Sequence, residues 1–286
     1  MNGPIMTYAI RILSHFPHSL PPIAIVLGSG FNILVKLIQD AKMLNYKDID
    51  INDFPVSTVE GHNGRFVVGT LNGVRVAVMD GRVHLYEGFT VDQVVFPLRM
   101  LIASGCKTVI LTSAVGGISL KYEAGDLVLI RDHINLFTVA NPMFGKRQSG
   151  VGGRFQDMNR VYDPELITIA QATARELDSA ESNSPKINLK AGGILGFMPG
   201  PYFETPSEVE MLRRLGADVV GMSISEAIAA HHMGAKVLSI ACVVNMAAGM
   251  ENTEISHEGT IETMNEAAPY ATRLIAEIVR NLPDRT

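Results

Sequence analysis

The sequence is sparing in the residues that build disulfide scaffolds, metal sites and membrane spans. Its 286 residues contain two cysteines, Cys106 and Cys242, each inside an apolar run, so both are expected as buried free thiols and not as a disulfide. No His, Cys, Asp or Glu set has zinc spacing, and His231 and His232, being adjacent, point apart on a helix. No stretch reaches the roughly 18 uninterrupted apolar residues of a membrane span. Met1 to Pro22 shows no basic start leading into an apolar core, so no secretory signal is read and a cytoplasmic location is expected. A Walker loop and a Gly-x-Ser-x-Gly elbow are also missing, as are internal repeats and low-complexity tracts. Excess charge is small: 24 Lys+Arg against 29 Asp+Glu leave −5, which disfavours nucleic acid or an anionic membrane as the main partner. An anionic ligand would need a local pocket of donors.

What is present is material for one sizeable core. Hydrophobic residues make up 47% and charged residues 19%, and no break in composition divides the chain, so residues 1–286 are read as a single domain. Short β-branched runs alternate with helical patterns, the signature of an α/β fold. Strands are expected at Ile23–Leu27, Arg65–Thr70, Val74–Met79, Thr108–Thr112, Asp126–Ile130, Gly193–Phe197, Val219–Met222 and Lys236–Val244. Leu71-Asn72-Gly73 joins two of them as a hairpin, so part of the sheet is antiparallel. Thr90 with Gln93, and Thr205-Pro206 with Glu208, mark helix starts, with Gly105 and Gly216 as stops. Asp163-Pro164 opens another helix to about Leu177. Ser256 caps the last one, where Pro269 predicts a kink or break. Ala140–Asp157 is long, polar and glycine-rich, as functional lids are, and Asp178–Lys190 reads as a surface loop.

Five constellations carry possible chemistry. Gly28-Ser29-Gly30 follows a strand; it is either a plain tight turn or a backbone cradle for an anion, and Ile33 denies it the third glycine of a dinucleotide fingerprint. Arg82, His84 and Tyr86 alternate along Gly81–Gly88, so an extended backbone places them on one side, where a guanidinium, an imidazole and a phenol can hold an oxyanion and a sugar. His62 in Gly61-His62-Asn63-Gly64 is by itself a surface residue as readily as a ligand. Leu111–Gly117 is a strand feeding a glycine turn with free N–H groups. Pro199–Pro206 sets Phe203 and Glu204 at a helix start, where Glu204 can equally serve the helix dipole. Gly221-Met222-Ser223 and Val243-Val244-Asn245 end buried strands, where open α/β sheets bind ligands and where a lone Met or Asn also serves packing. Glu87 with Glu204 suggests a glycosidase pair, but several phosphate-type turns would be superfluous in a simple hydrolase.

In order along nearly the whole chain, these motifs, with Asp132-His133-Ile134-Asn135 and Ser256-His257-Glu258, resemble the trimeric, low-molecular-weight purine nucleoside phosphorylases. The resemblance implies a single-domain α/β fold, with a central mixed and partly barrel-like sheet flanked by helices. It implies phosphorolysis of purine (deoxy)ribonucleosides without metal or organic cofactor, inorganic phosphate being the co-substrate. Phosphate would be held by Ser29, His62, Arg82, His84, Ser223 and the backbone at Ala114. Tyr86 and Met222 would hold ribose, with His257 near its 5′-hydroxyl; Glu204 and Asn245 would read the purine, with Phe203 against it. His84, Glu204 and Asn245 would be catalytic. Arg154-Phe155 matches the segment whose Phe closes a neighbouring subunit's site, which implies a homotrimer. An amide at 245 suits a 6-oxopurine, so inosine and guanosine are expected over adenosine. Rival readings are a methylthioadenosine- or methylthioinosine-cleaving phosphorylase, against which Asn245 and His257 argue, a silent nucleoside-binding protein and a hydrolase. The chain departs from the family at Ser113, Val115 and Val244, in the unusual Gly145–Gly153 lid, and in Met222–Glu226, one residue short.

Overall fold

The computed structural model describes residues 4–16, 19–59, 61–145, 152–180, 186–251 and 255–283. Its frame is a nine-stranded mixed sheet in the order β2-β3-β4-β1-β5-β8-β7-β6-β9, with β9 pairing back onto β5. The strands are β1 (Ile23–Val26), β2 (Gln39–Asn45), β3 (Arg65–Leu71), β4 (Val74–Asp80), β5 (Thr108–Gly117), β6 (Leu127–Ile134), β7 (Leu189–Phe197), β8 (Val219–Gly221) and β9 (Lys236–Met246). The return pairing closes β5, β8, β7, β6 and β9 into a barrel, from which β1, β4, β3 and β2 extend as an open sheet. Closure removes the free edge of β9 and leaves β2 as the sheet's remaining edge. β1, β4, β5 and β9 are mutually parallel along their shared pairings, so their C-terminal ends collect on one side.

Two cores lie on either face. Along β1, Ala24 and Val26 pack with Ile12, Phe16, Leu98 and Ile228, whereas Ile23 and Ile25 pack with Leu274, Ile275 and Ile278. The period of two sends alternate residues to opposite faces, so a central strand with both faces covered must be apolar throughout. Helices α1 (Pro4–Leu13), α2 (Val91–Ala103) and α5 (Ser225–His232) cover one face; α3 (Pro164–Ala180) and α6 (His257–Asn281) cover the other, and α4 (Pro206–Arg214) sits beside the smaller cluster around Leu212 and Val220. Each fully buried Ile or Leu contributes about 1.5–3 kcal/mol by leaving water. Cys106 and Cys242 are buried free thiols in these cores.

Most sequence expectations hold. β3 and β4 form the expected hairpin, from Arg65↔Asp80 to Leu71↔Val74. Thr90 and Thr205 cap α2 and α4 with reciprocal bonds to Gln93 and Glu208. Four expectations fail. The barrel strands run longer: β6 reaches Ile134 rather than Ile130, β7 starts at Leu189 and β9 ends at Met246, because closure gives both flanks of these segments hydrogen-bond partners. The run Ser113–Gly117 is strand, not turn, since β9 and β8 pair with it through Gly117. α6 passes through Pro269 as one helix. Asn265, whose carbonyl the proline leaves unpaired, lies on the exposed face, while Met264, Ala267, Ala268, Ala271, Leu274 and Ile275 keep the buried stripe unbroken on both sides. Finally, α3 extends to Ala180 rather than to about Leu177, and residues 181–185 of the expected loop lie outside the described residues.

Candidate active site

The site grows from the parallel strand ends. Gly28 follows β1 and its amide donates to Thr112 Oγ1 at 2.9 Å. A Cβ on Gly28 would stand 2.5 Å from the Thr112 carbonyl oxygen, so only glycine lets the Ser29 loop lie against β5. After β4 the chain turns at Gly81, whose φ of +99° and 2.7 Å approach of a built Cβ to His62 Cα again demand glycine. That turn brings the His62 loop onto Arg82. Asp80, fully buried, anchors the junction by accepting from Asn63 Nδ2 at 3.0 Å and Arg65 Nε at 2.7 Å.

A directed chain of hydrogen bonds follows. The Arg82 amide donates to His62 Nδ1 at 3.0 Å, so a neutral His62 carries its proton on Nε2, which lies 3.2 Å from Ser29 Oγ. His62 therefore donates to Ser29 and leaves the serine O–H free to donate onward. At His84 the backbone amide donates to Glu87 Oε1 at 2.8 Å, and Nδ1 lies 3.0 Å from the same oxygen. The carboxylate accepts Nδ1–H, so the Nε2 lone pair faces Arg82 Nε at 3.5 Å. Burial first, then neighbouring His84 and Arg82 for His62 and Arg82 for His84, pushes both rings down to about 3. The 3.0 Å contact of His84 with Glu87 is thus a hydrogen bond from a neutral ring rather than an ion pair.

Arg82 is 5% exposed; Nη1 donates to the Thr112 carbonyl at 3.0 Å, and Nε lies 3.6 Å from Glu226 Oε1. Tyr86 reaches the cluster by a route other than strand alternation. The backbone leaves the extended state after His84 and forms a 3₁₀ turn at Leu85–Glu87 because Glu87 reaches back to the His84 amide. The turn stacks Tyr86 on His84, ring centroids 4.8 Å apart and planes at 12°. Burial raises the Tyr86 pKa, so the phenol keeps its proton.

A second group of candidate residues lies farther along β5. Ala114 is partly buried, and its carbonyl faces Gly221 at the end of β8. Met222 and Ser223 follow, both partly buried, and Met222 packs under Gly200. On β9 the register with β5 slips between Val115↔Val243 and Gly116↔Asn245. This bulge at Val244 sets Asn245 beside Gly116. Asn245 Nδ2 donates to the Met246 carbonyl at 2.9 Å, leaving a second N–H and Oδ1 unspent among the described residues. Glu204 is 9% exposed and its pKa is raised, chiefly by burial, despite its own backbone amide; Glu208 adds to the rise.

The structure thus joins Ser29, His62, Arg82, His84 and Tyr86 in one contact chain and sets Ala114, Met222, Ser223 and Asn245 around the upper part of β5. Phe203 is 40% exposed, and Phe155, 93% exposed, joins none of these groups within one chain. His257 opens α6, and its side chain lies outside the described residues, as do residues 146–151 of the lid. Rather than diverging, His231 and His232 both reach the lid, with Nε2 atoms 2.7 Å from the Asp157 carbonyl and 2.8 Å from the Gly153 carbonyl. Sequence reasoning gave no role to Thr112 or Glu226, and none to Glu87 as the residue that orients His84. The His84-x-x-Glu87 spacing was the available signal. Among the described residues, no three His, Cys, Asp or Glu side chains come together as metal ligands, and no helix is long and apolar enough to cross a membrane.

Comparison with known proteins places the chain in a family. The family profile described as "Phosphorylase superfamily" matches residues 22–280. Purine nucleoside phosphorylase 1 of Bacillus subtilis (strain 168) is 40% identical over 280 residues, covering 98% of each chain. Purine nucleoside phosphorylase 1 of Geobacillus stearothermophilus is also 40% identical, over 284 residues and 99% of each chain. The crystal structure of Schistosoma mansoni purine nucleoside phosphorylase in complex with inosine superposes with a TM-score of 0.88 at 30% identity, covering 98% of this chain and 96% of that one.

Proposed function

Because the chain belongs to the phosphorylase superfamily and, within it, to the purine nucleoside phosphorylases, we propose that it cleaves inosine and guanosine, with their deoxy forms, by attack of inorganic phosphate. The products are the free base and (deoxy)ribose 1-phosphate. One observation carries the reading. A single buried guanidinium, two neutral histidines and a serine with a free O–H converge where the parallel strands end. Such a set suits an oxyanion that brings its own charge.

In this reading phosphate takes hydrogen bonds from Arg82, the Ser29 hydroxyl, Ser223 and amides near Ala114. His62 acts through Ser29, both its ring nitrogens being engaged by protein. The phosphate O–H donates to the His84 Nε2 lone pair in place of the long 3.5 Å contact from Arg82 Nε, while Glu87 holds the Nδ1–H. Tyr86 and Met222 flank the ribose, with His257 near the 5′-hydroxyl. As the glycosidic bond lengthens, the sugar gains oxocarbenium character above the phosphate and the purine gains negative charge. A free Asn245 N–H donates to N7, and Glu204 accepts from N1–H, so the leaving group is stabilised inside a closed pocket. The phosphate oxygen then bonds to C1′ and the base departs. No metal or organic cofactor takes part.

The exposed Phe155 supports assembly as a homotrimer in which that ring covers a neighbouring site; a side chain 93% exposed in one chain gains burial only from a partner. A panel of inosine, guanosine, adenosine and methylthioadenosine, each with and without phosphate, tests the proposal. Phosphate-dependent release of hypoxanthine and guanine should dominate. Adenosine or methylthioadenosine winning by tenfold overturns the base assignment, and base release without phosphate overturns phosphorolysis.

A further inference from the structure

Glu226 stands in the first turn of α5 and is 2% exposed. Its Oε1 lies 3.6 Å from Arg82 Nε and accepts no hydrogen bond among the described residues. At that distance the contact is charge against charge without a directional bond. The guanidinium takes its orientation from other groups, with Nη1 on the Thr112 carbonyl and Nε toward His84 Nε2. A carboxylate placed to hold an arginine in one pose does so through short, paired N–H···O bonds, and this one does not.

The charge balance of the cluster gives the contact its meaning. Arg82 is its only buried cation, and the two imidazoles beside it are neutral. Glu226 matches that cation in advance, and Glu87, its carboxylate 4% exposed, adds a second negative group beyond His84. A phosphate dianion entering here meets a guanidinium whose field is already largely offset. In a buried site such repulsion is weakly screened, because little water or salt intervenes.

Resting on the reading of Arg82 as a phosphate ligand, we propose that Glu226 is an electrostatic brake on the phosphate site. Its carboxylate offsets Arg82 and keeps inorganic phosphate and the sugar 1-phosphate product bound loosely enough to exchange. The sign of the effect separates this from a structural role. A residue that merely supports Arg82 weakens phosphate binding when altered, whereas a brake strengthens it when removed.

The test compares the intact protein with Glu226→Gln, which keeps the shape and removes the charge. The phosphate KM from steady-state phosphorolysis of inosine, and the Kd for inorganic phosphate from calorimetry, should both fall on the order of tenfold, about 1.4 kcal/mol. Inosine KM should stay within twofold, and inhibition by ribose 1-phosphate should tighten in step with phosphate. A phosphate KM that is unchanged or raised overturns the brake. If the Gln variant does not fold, Glu226→Asp is read instead, since it draws the charge back by one methylene. There a two- to threefold fall in phosphate KM supports the brake, and no fall overturns it. Arg82→Gln separates the two layers of the argument and should raise phosphate KM at least tenfold. An unmoved value removes Arg82 from the phosphate site and the brake with it, whereas a raised value beside an unimproved Glu226→Gln removes the brake alone.

Discussion

Lowering the pH from 7 to 5 should destabilise the folded chain by about 4 kcal/mol through His62 and His84 alone. The rings are 7% and 6% exposed, and burial holds both at about 3 in the folded state, against about 6.5 for an unfolded histidine. A histidine whose folded pKa is depressed binds more protons unfolded than folded between those two values. Stability from the neutral ring is therefore whole above about pH 6.5 and is lost steadily as the pH drops toward 3. At pH 5 the unfolded imidazole is almost fully protonated and the folded one still neutral, which amounts to about 2 kcal/mol per ring relative to pH 7. Repulsion between the rings, 5.0 Å apart, does not enter, since neither is charged in the folded state at pH 5. The assay is urea unfolding in phosphate-free buffer at both pH values, for wild type, His62→Asn and His84→Gln. Each variant lacks one titrating ring, so it should lose about 2 kcal/mol less than wild type on acidification, whatever its stability at pH 7. Every other titrating group cancels in that difference. Superimposable pH dependences would refute the neutral-histidine reading and the hydrogen-bond directions built on it.

Asn245→Ala should lower turnover of inosine by about a hundredfold or more by removing the donor to the departing base; unchanged steady-state kinetics would take Asn245 out of the mechanism. Phe155→Ala should raise the nucleoside KM while leaving thermal unfolding in place, because the ring is 93% exposed in its own chain; an unmoved KM would refute the shared site. Gly28→Ala should cost about 1–3 kcal/mol and raise phosphate KM, since its Cβ would lie 2.5 Å from the Thr112 carbonyl oxygen, where backbone meets backbone. Wild-type denaturation and phosphate titration curves for that variant would show that the loop is free to shift.

The parts of the fold legible in the sequence were those fixed by local chemistry. Thr90 with Gln93 and Thr205 with Glu208 spell out helix starts within four residues, and Asn72-Gly73 spells out the hairpin. β2 was not legible: Gln39–Asn45 carries neither a long apolar run nor clean alternation, and it is a strand because β3 offers a free edge. The lengths of β6, β7 and β9 were hidden for the same reason, since a polar residue such as Asp132 becomes strand only when closure supplies a neighbour. Pro269 misled because its local rule is real but weak beside a buried face that continues on both sides of it.

For the site, the sequence marked turns that the structure brings together and withheld how they are wired. Gly28-Ser29-Gly30 and Gly81-Arg82 are recognisable as places where backbone comes close to something, and the structure supplies that something as Thr112 and His62. The direction of the chain, Arg82 amide to His62 to Ser29, depends on which nitrogen faces which partner across 20 and 33 positions, and no spacing rule encodes that. Glu226 left the faintest but most pointed trace. It is the only acidic residue in α5, surrounded by Ala227, Ile228, Ala229 and Ala230. A lone carboxylate beside the apolar run Ala227–Ala230 is expected to be buried, and a buried carboxylate requires a cation or proton nearby. The sequence therefore implies that a buried cation exists without saying which. Only the approach of Glu226 to within 3.6 Å of Arg82, just past the end of β4, identifies it, and the proposed brake on phosphate rests on that contact.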